Sequence, residues 1–404
     1  MIETKKLANG VTVLSEKLDF VRSASVGLWV GNGSRYETAE ENGVSHFIEH
    51  MLFKGTNTRS AAQIAEQMDA IGGQFNAFTT KEFTSFYFRA LDTMLDRGIE
   101  VLADMLIGSV FPEAELDTER GVIDEEIDMY EDTPDELVTD NLFSAVYPDI
   151  PLGRPIVGTH ESIAKMDPAF LRDYMRRHYT GPRIVASISG NFTDETLAHL
   201  CSALEAIPAN EAPAFEPAAY AQGEIIRKKP IEQVHICLGF PGFSQVDPRR
   251  YAQSIFSNIL GGGMSSRLFQ KIREENGLCY SIYSFGASHF DTGVSGVYLA
   301  TNAGTWEKAV DMVLAEIDRL LTDGPTQEEF ERARGQIVSN LLMSLESTLS
   351  RMNAMARSQL IYGRVLTADD SVALYNAVDL ASCIDAGRAA FDAGRISRSI
   401  VGNI

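Results

Sequence analysis

Positive charge and cysteine are both scarce in this sequence. The chain has 35 Lys and Arg against 56 Asp and Glu, and the resulting formal charge of −21 argues against nucleic-acid binding. Its 4 cysteines, at positions 201, 237, 279 and 383, form no Cys-x-x-Cys pair. This spacing indicates scattered reduced thiols rather than a disulfide framework. We therefore expect a cytoplasmic protein that binds no nucleic acid.

Long apolar runs are absent as well. No stretch reaches the length of a membrane span, and Met1–Leu7 shows neither an apolar signal core nor a cleavage site. Hydrophobic residues nevertheless make up 45% of the chain and recur in periodic segments, which is typical of a globular protein. We expect no membrane association. A chain of 404 residues is long enough for two or three domains.

Histidine is also rare, but two of the 7 histidines occur in one short pattern. Residues 46–50 read His-Phe-Ile-Glu-His inside an apolar, helix-like segment. His46 and His50 then lie one turn apart on the same helical face, with Glu49 beside them. Two imidazoles, one acidic ligand and an open fourth position form a hydrolytic zinc site, and H-x-x-E-H is a known metalloprotease order. The alternative is a helix with two histidines on a polar face, but buried histidines would then need other partners.

A third metal ligand is expected from the acid-rich, helix-like segment at residues 119–128. Glu119 and Glu126 are seven residues apart and point to nearly the same side, whereas Glu125 points elsewhere. One of the first two could bind the metal while the other orients a ligand. The pattern does not choose between them, and a solvated acidic helix is the alternative interpretation.

The sequence GVSHFIEHMLFKGT, at residues 43–56, resembles the pitrilysin family of zinc peptidases with the inverted motif. It is most similar to the processing-peptidase branch, which includes the beta subunit of mitochondrial processing peptidase and its bacterial relatives. The resemblance extends over essentially the whole chain. It implies one Zn²⁺ per chain, bound by His46, His50 and Glu126, the last of which stands 76 residues after His50. It also implies that Glu49 is the general base and that Glu119 supports activity without binding the metal.

The same resemblance implies residues that contact the substrate. Arg273 and Tyr280 match a family pair that contacts the substrate at the scissile bond, where a tyrosine hydroxyl would stabilise the developing oxyanion. Asn76 and Ala77 match a strand edge that pairs with extended peptides by main-chain hydrogen bonds. Without the resemblance, a surface arginine, a core tyrosine and an ordinary strand explain these residues as well.

Two further acids match a specificity site in the resembled enzymes. Glu136 and Asp140 stand ten and fourteen residues after the third expected ligand, and their spacing places them on one helical face. In the mitochondrial enzyme, acids at these offsets hold a basic substrate residue near the cut. We therefore expect cleavage near basic residues. A solvated acidic face is the alternative.

The chain divides into two halves of similar build, joined by a segment rich in Ala, Pro and Glu between Ile207 and Gly223. The pattern predicts an α+β fold of two related α/β sandwich domains, each a mostly antiparallel sheet packed with helices. We expect a catalytic zinc-binding domain at residues 1–212, a linker at 213–222 and a related, substrate-contacting domain at 223–404. Ala333 and Asn340 occupy the second-half positions that correspond to the two glutamates, so the second domain should lack a metal site.

These observations predict a zinc metalloendopeptidase that hydrolyses extended or unfolded peptides inside a dimer chamber. Homodimerisation is expected because the chain carries both the zinc motif and the Arg-Tyr pair but has half the length of relatives that close a chamber alone. The alternatives are one subunit of a heterodimeric peptidase and a non-catalytic peptide-binding partner. The intact His-Glu-His motif argues against the latter.

Overall fold

The computed structural model describes residues 2–404, so Met1, at the start of the segment considered for a leader, lies outside the described residues. The strands in this range are β1 (Ile2–Lys6), β2 (Thr12–Lys17), β3 (Ser23–Val30), β4 (Gln74–Thr79), β5 (Thr84–Leu91), β6 (Ile184–Gly190), β7 (Glu224–Lys228), β8 (Gln233–Gly242), β9 (Cys279–Ser288), β10 (Gly293–Asn302) and β11 (Ser397–Gly402). The helices are α1 (Val44–Met51), α2 (Ala61–Ile71), α3 (Leu95–Gly108), α4 (Glu113–Glu131), α5 (Pro134–Val146), α6 (His160–Ile163), α7 (Pro168–His178), α8 (Asp194–Ala203), α9 (Arg250–Gly261), α10 (Trp306–Asp323), α11 (Gln327–Ser344), α12 (Thr348–Tyr362), α13 (Ala368–Asn376) and α14 (Leu380–Ala390).

Hydrophobic periodicity locates six of these elements. Alternating apolar residues predict strands at residues 25–30, 84–90, 234–240 and 296–300, and these segments lie within β3, β5, β8 and β10. Long helices are predicted near residues 94–111 and 306–321, where the structure has α3 and α10. Residues 208–223 form neither helix nor strand, in agreement with the linker composition of this segment. No helix among residues 2–404 combines the length and the apolar character needed to cross a membrane.

Unit 1, the first of two compact units, contains the residues up to Asp128, Arg154–Glu216 and Ser344–Leu366. Its six-stranded sheet has the order β1-β2-β6-β3-β5-β4, and only the β2–β6 pair is parallel. Strand β3 is buried along almost its whole length, as expected for a central strand. At one end of the order, β4 pairs only with β5 and leaves a free edge.

Unit 2 contains Met129–Gly153, Pro217–Met343 and Thr367–Ile404. Its five-stranded sheet has the order β7-β11-β8-β10-β9, with β7 and β11 parallel and the other pairs antiparallel. Apolar residues of α9, α10 and α14 form a core on this sheet. Both sheets are therefore mostly antiparallel and packed with helices, and the predicted fold class is confirmed.

The two units do not follow the continuous boundaries expected at residues 212 and 223, because each takes a segment from the other half of the chain. Helix α5 belongs to unit 2, where Leu142 and Val146 pack with residues of the second sheet. Helix α12 belongs to unit 1, where it contacts β3 and β6 and buries Met352. A helical pattern shows which face of a helix is apolar but not which sheet will cover that face.

Candidate metal centre

Helix α1 presents the HxxEH motif from the interior of unit 1. The helix is anchored by Val44, Phe47, Ile48 and Met51, all of which are fully buried. Because these apolar residues fix the rotation of the helix, the opposite face carries the polar side chains of the motif. The centroids of the His46 and His50 rings are 4.5 Å apart.

Helix α4 brings Glu126 to the two histidines. Its Oε2 atom lies 3.7 Å from Nε2 of His46 and 3.6 Å from Nε2 of His50. These three residues are the only His, Cys, Asp or Glu group among residues 2–404 whose ligand atoms lie within 4.8 Å of one another. The separations are too long for hydrogen bonds, but ligand atoms around a tetrahedral zinc ion are separated by about 3.4 Å.

Glu119, two turns before Glu126 on α4, contacts the second histidine. Its Oε1 atom lies 2.8 Å from Nδ1 of His50, and its Oε2 atom lies 2.5 Å from the ammonium nitrogen of Lys54. When the Nδ1–H group of His50 donates a hydrogen bond to Glu119, Nε2 is the unprotonated nitrogen, and its lone pair is available to a metal ion. Burial raises the pKa of Glu119, but Lys54 and His50 together bring the pKa below its usual value. The geometry therefore separates the two glutamates that the spacing did not distinguish.

His46 has the properties of an unprotonated ligand. It is 8% exposed, and burial together with neighbouring His50 lowers its pKa to about 3, so the ring is neutral at pH 7. Neither of its nitrogens makes a hydrogen bond to any residue in the described range 2–404. A buried imidazole without partners is unfavourable, and a metal ion at Nε2 would satisfy one of the two nitrogens. The three residues thus fit Zn²⁺ by donor type and spacing, and His46 also fits by its protonation state.

Glu49 lies next to this group but outside it. Its Oε2 atom accepts a hydrogen bond of 2.6 Å from the hydroxyl of Thr79, the last residue of β4. Burial raises its pKa above the usual value, with the Thr79 hydrogen bond acting in the opposite direction. A carboxylate held beside a metal site, with a raised pKa, is suited to accept and return a proton. Neither Thr79 nor Lys54 was predicted to belong to the site, although Lys54 lies within the motif at residues 43–56 and Thr79 lies two residues after Ala77.

The predicted substrate residues are distributed over both units. In unit 1, Asn76 and Ala77 lie on β4, the free edge strand. In unit 2, Arg273 lies in a π-helix at Phe269–Glu274. Its guanidinium carbon is 4.6 Å from the centroid of the Phe269 ring and 5.0 Å from that of Tyr280, which is 77% exposed.

The two predicted specificity acids are also in unit 2. Glu136 and Asp140 lie on α5, and Glu136 is in its exposed first turn. Because both residues lie in one helix and are four residues apart, they are on the same helical face, as the spacing predicts. Their role in recognition stays a prediction.

Two family models match the chain. Residues 12–160 match "Insulinase (Peptidase family M16)", and residues 165–337 match "Peptidase M16 inactive domain". The Bacillus subtilis protein "Uncharacterized zinc protease YmxG" is 42% identical, with 94% of this chain and 93% of that protein covered. A Streptomyces coelicolor protein, also named as an uncharacterized zinc protease, is 39% identical over 91% of this chain and 82% of its own length. The chain belongs to peptidase family M16.

Solved structures show the M16 fold over the full chain. A Pseudomonas fluorescens protein described as a peptidase M16 inactive domain has a TM-score of 0.93 at 20% identity, with 100% of this chain and 98% of that chain covered. A Helicobacter pylori protease has a TM-score of 0.91 at 19% identity, with 100% and 99% covered. The predicted family is confirmed, and the zinc named in the relatives agrees with the expected cofactor. All three candidate metal ligands fall within the region that matches the first M16 model.

Proposed function

We propose that this M16 protein is a zinc endopeptidase that hydrolyses extended or unfolded peptides. The observation that carries the proposal is the convergence of His46, His50 and Glu126, with Glu49 beside them. A zinc ion bound there would supply a Lewis acid for the peptide carbonyl and lower the pKa of a water molecule. The names of the relatives and the donor set of this chain both support zinc.

In this proposal the protein side chains perform the proton transfers. Glu49 takes a proton from the attacking water and returns it to the leaving amine, and its raised pKa suits both steps. Thr79 keeps the Glu49 carboxylate in place through the 2.6 Å hydrogen bond. Glu119 fixes the ring of His50 through Nδ1.

The free edge of β4 is proposed to hold the peptide. Main-chain groups along this edge can form hydrogen bonds with an extended chain almost regardless of sequence. The backbone N–H of Ala77 donates a hydrogen bond of 2.8 Å to Oδ1 of Asn76, and a bound peptide would replace this side-chain oxygen as the acceptor. The same strand ends at Thr79, which contacts Glu49, so one element would connect peptide binding to the general base. Arg273 and Tyr280 are proposed to contact the substrate near the scissile bond, and Glu136 and Asp140 to favour basic residues nearby.

We also propose a homodimer in the cytoplasm. The four cysteines are all free and buried, which supports a reducing compartment. A dimer would let Arg273 and Tyr280 of one chain complete the zinc site of the other. A heterodimer with a different M16 chain is the alternative assembly.

The central test compares wild type with Glu49→Gln on an unstructured peptide, with and without a chelator. Wild type should cleave the peptide, lose activity with the chelator and regain it when zinc is added. Glu49→Gln should keep its zinc but lose turnover by a factor of about 10² to 10⁴, because the amide can still accept the Thr79 hydrogen bond but cannot take a proton. Near-normal hydrolysis by the zinc-loaded variant would contradict the assigned mechanism.

A further inference from the structure

The helix that carries both histidines has no capping side chain of its own. Helix α1 has eight residues, and the residue that precedes it, Gly43, has φ +93° and cannot offer a side-chain acceptor. A Cβ atom at this position would lie 2.8 Å from the Cα atom of Gly158 and 2.8 Å from the carbonyl oxygen of Val157. A Ser, Thr, Asp or Asn cap is therefore excluded here by both conformation and space. The first backbone N–H groups of α1 need an acceptor from elsewhere.

That acceptor is the carboxylate of Glu37, six residues before Gly43. Its Oε1 atom accepts a hydrogen bond of 2.9 Å from the backbone N–H of Ser45, and its Oε2 atom accepts one of 2.8 Å from that of Gly43. The side-chain amide of Asn42 donates a third hydrogen bond, of 3.3 Å, to Oε2. Glu37 is 1% exposed. A negative charge that receives backbone N–H groups at a helix N-terminus is favoured by hydrogen bonding and by the helix dipole.

The other side of the α1 N-terminus is held by a buried polar cluster. The hydroxyl of Ser45 lies 3.3 Å from that of Tyr174, and the side-chain amide of Asn32 donates to both hydroxyls, at 3.3 and 3.2 Å. The backbone of Ser45 is thus bonded to Glu37 while its side chain is bonded to this cluster. The next residue along the chain is His46, so a displacement of Ser45 would move a metal-binding side chain.

We propose that Glu37 is a positioning residue that holds His46 and His50 in the geometry needed for zinc by capping α1 from outside the helix. The inference rests on the proposed zinc site. An eight-residue helix has little stability of its own, so its register and direction depend on contacts of this kind. Glu37 acts through the backbone of α1 and touches neither the metal ligands nor the substrate.

Glu37→Gln tests this role because it preserves size but removes one acceptor. The amide oxygen can accept a hydrogen bond from one of the two backbone N–H groups. The amide NH₂ group then lies against the other N–H group, and two donors cannot form a hydrogen bond with each other. Burial raises the pKa of Glu37 to about 7, with the hydrogen bonds from Ser45, Gly43 and Asn42 opposing this, so measurements belong at pH 8, where the wild-type carboxylate is ionised. We expect the dissociation constant for zinc to rise by about tenfold or more, measured by competition with a chromogenic chelator.

Glu41→Gln is the matched control. Glu41 lies in the same loop, its side chain is 12% exposed, and it accepts hydrogen bonds from Arg177 at 2.7 Å and from the backbone of Thr38 at 3.0 Å. Its carboxylate does not bond to the N–H groups of α1, so this variant should lose thermal stability while keeping the wild-type zinc affinity. The visible absorption of bound Co²⁺ gives a second readout, since it reports ligand geometry and should change only in the Glu37 variant.

The outcomes separate the inference from the proposed function. A wild-type chain that binds no zinc would overturn the proposed function itself. A wild-type chain that binds zinc, together with a Glu37→Gln variant of unchanged zinc affinity, would overturn the positioning role alone. If Glu37→Gln does not fold, Glu37→Asp decides the question. It keeps the charge but is one methylene shorter, so zinc should bind more weakly than in wild type, and an unchanged affinity would overturn the inference.

Discussion

Substitution of Glu119 tests the metal centre, because this carboxylate binds both His50 and Lys54. It is 5% exposed, accepts the Nδ1 hydrogen bond of His50 at 2.8 Å and pairs with Lys54 at 2.5 Å. Glu119→Gln preserves an oxygen acceptor for His50 but removes the negative charge. The amide nitrogen would then face the ammonium group of Lys54, so the side chain can satisfy only one of its neighbours fully.

The expected magnitude follows from the change in the His50 hydrogen bond. A hydrogen bond to a charged group contributes about 1.5–3 kcal/mol, against about 0.5–1.5 kcal/mol for a neutral one. The difference, about 1–1.5 kcal/mol, corresponds to a loss of zinc affinity of about tenfold. Glu119→Ala removes the acceptor altogether and should approach a hundredfold loss, the upper end of the range for residues that orient metal ligands.

The assay is zinc competition with a chromogenic chelator, and Glu125→Gln is the control. Glu125 lies on the same helix next to the expected ligand Glu126, but it is exposed and outside the metal group. The same substitution there should leave the zinc affinity unchanged. A dissociation constant within twofold of wild type for Glu119→Gln would refute the argument that Glu119 orients His50, and a similar loss in both variants would attribute the effect to the overall charge of the helix.

Three further predictions use other parts of the chain. Glu136→Gln combined with Asp140→Asn should lower kcat/KM for arginine-containing peptides and spare neutral ones, and an equal loss on both would assign the acids to structure. Mixing Glu49→Gln chains with Tyr280→Phe chains should restore part of the activity through hybrid dimers, and no recovery despite proven subunit exchange would count against completion of the site in trans. Glu329 accepts two hydrogen bonds from one arginine, and its pKa is lowered to about 2. This depressed pKa contributes to the free energy of unfolding in full above the pKa of the unfolded state, about 4.3, and the contribution is lost as the pH falls toward 2. After allowance for solvent screening, Glu329→Gln should therefore lower the free energy of unfolding by about 1–2 kcal/mol at pH 7 and by nearly nothing at pH 2. Urea unfolding at the two pH values measures the difference.

Sequence reasoning identified the ligand candidates because helical spacing is a local property. His46 and His50 are four residues apart, and any helix through them places both on one face. The choice between Glu119 and Glu126 needed either the family resemblance or the structure, since both side chains lie on the same face of α4. In the structure, Glu126 faces the Nε2 atoms of both histidines and Glu119 contacts Nδ1 of His50.

The supporting contacts could not be predicted from spacing. Thr79 reaches Glu49 from thirty residues away, and Glu37 caps α1 from a loop that has no helical or strand periodicity of its own. The sequence pattern also does not predict that α5 belongs to unit 2 and α12 to unit 1, because an apolar helical face can pack on either sheet. These features depend on the packing of distant segments.

Unit 2 resembles unit 1 in its sheet, but among its described residues no three His, Cys, Asp or Glu side chains lie close enough together to hold a metal ion. Its five-stranded sheet matches the first sheet without β1, with β8, β10 and β9 in the places of β3, β5 and β4. Helix α11 carries Ala333 and Asn340 where α4 has its two glutamates, and Ala333 is buried in the apolar core of unit 2. The matching family model for this region is the one described as an inactive domain. The scaffold therefore does not determine the chemistry, which we propose depends in this chain on a histidine pair, one glutamate ligand and the groups that hold them in place.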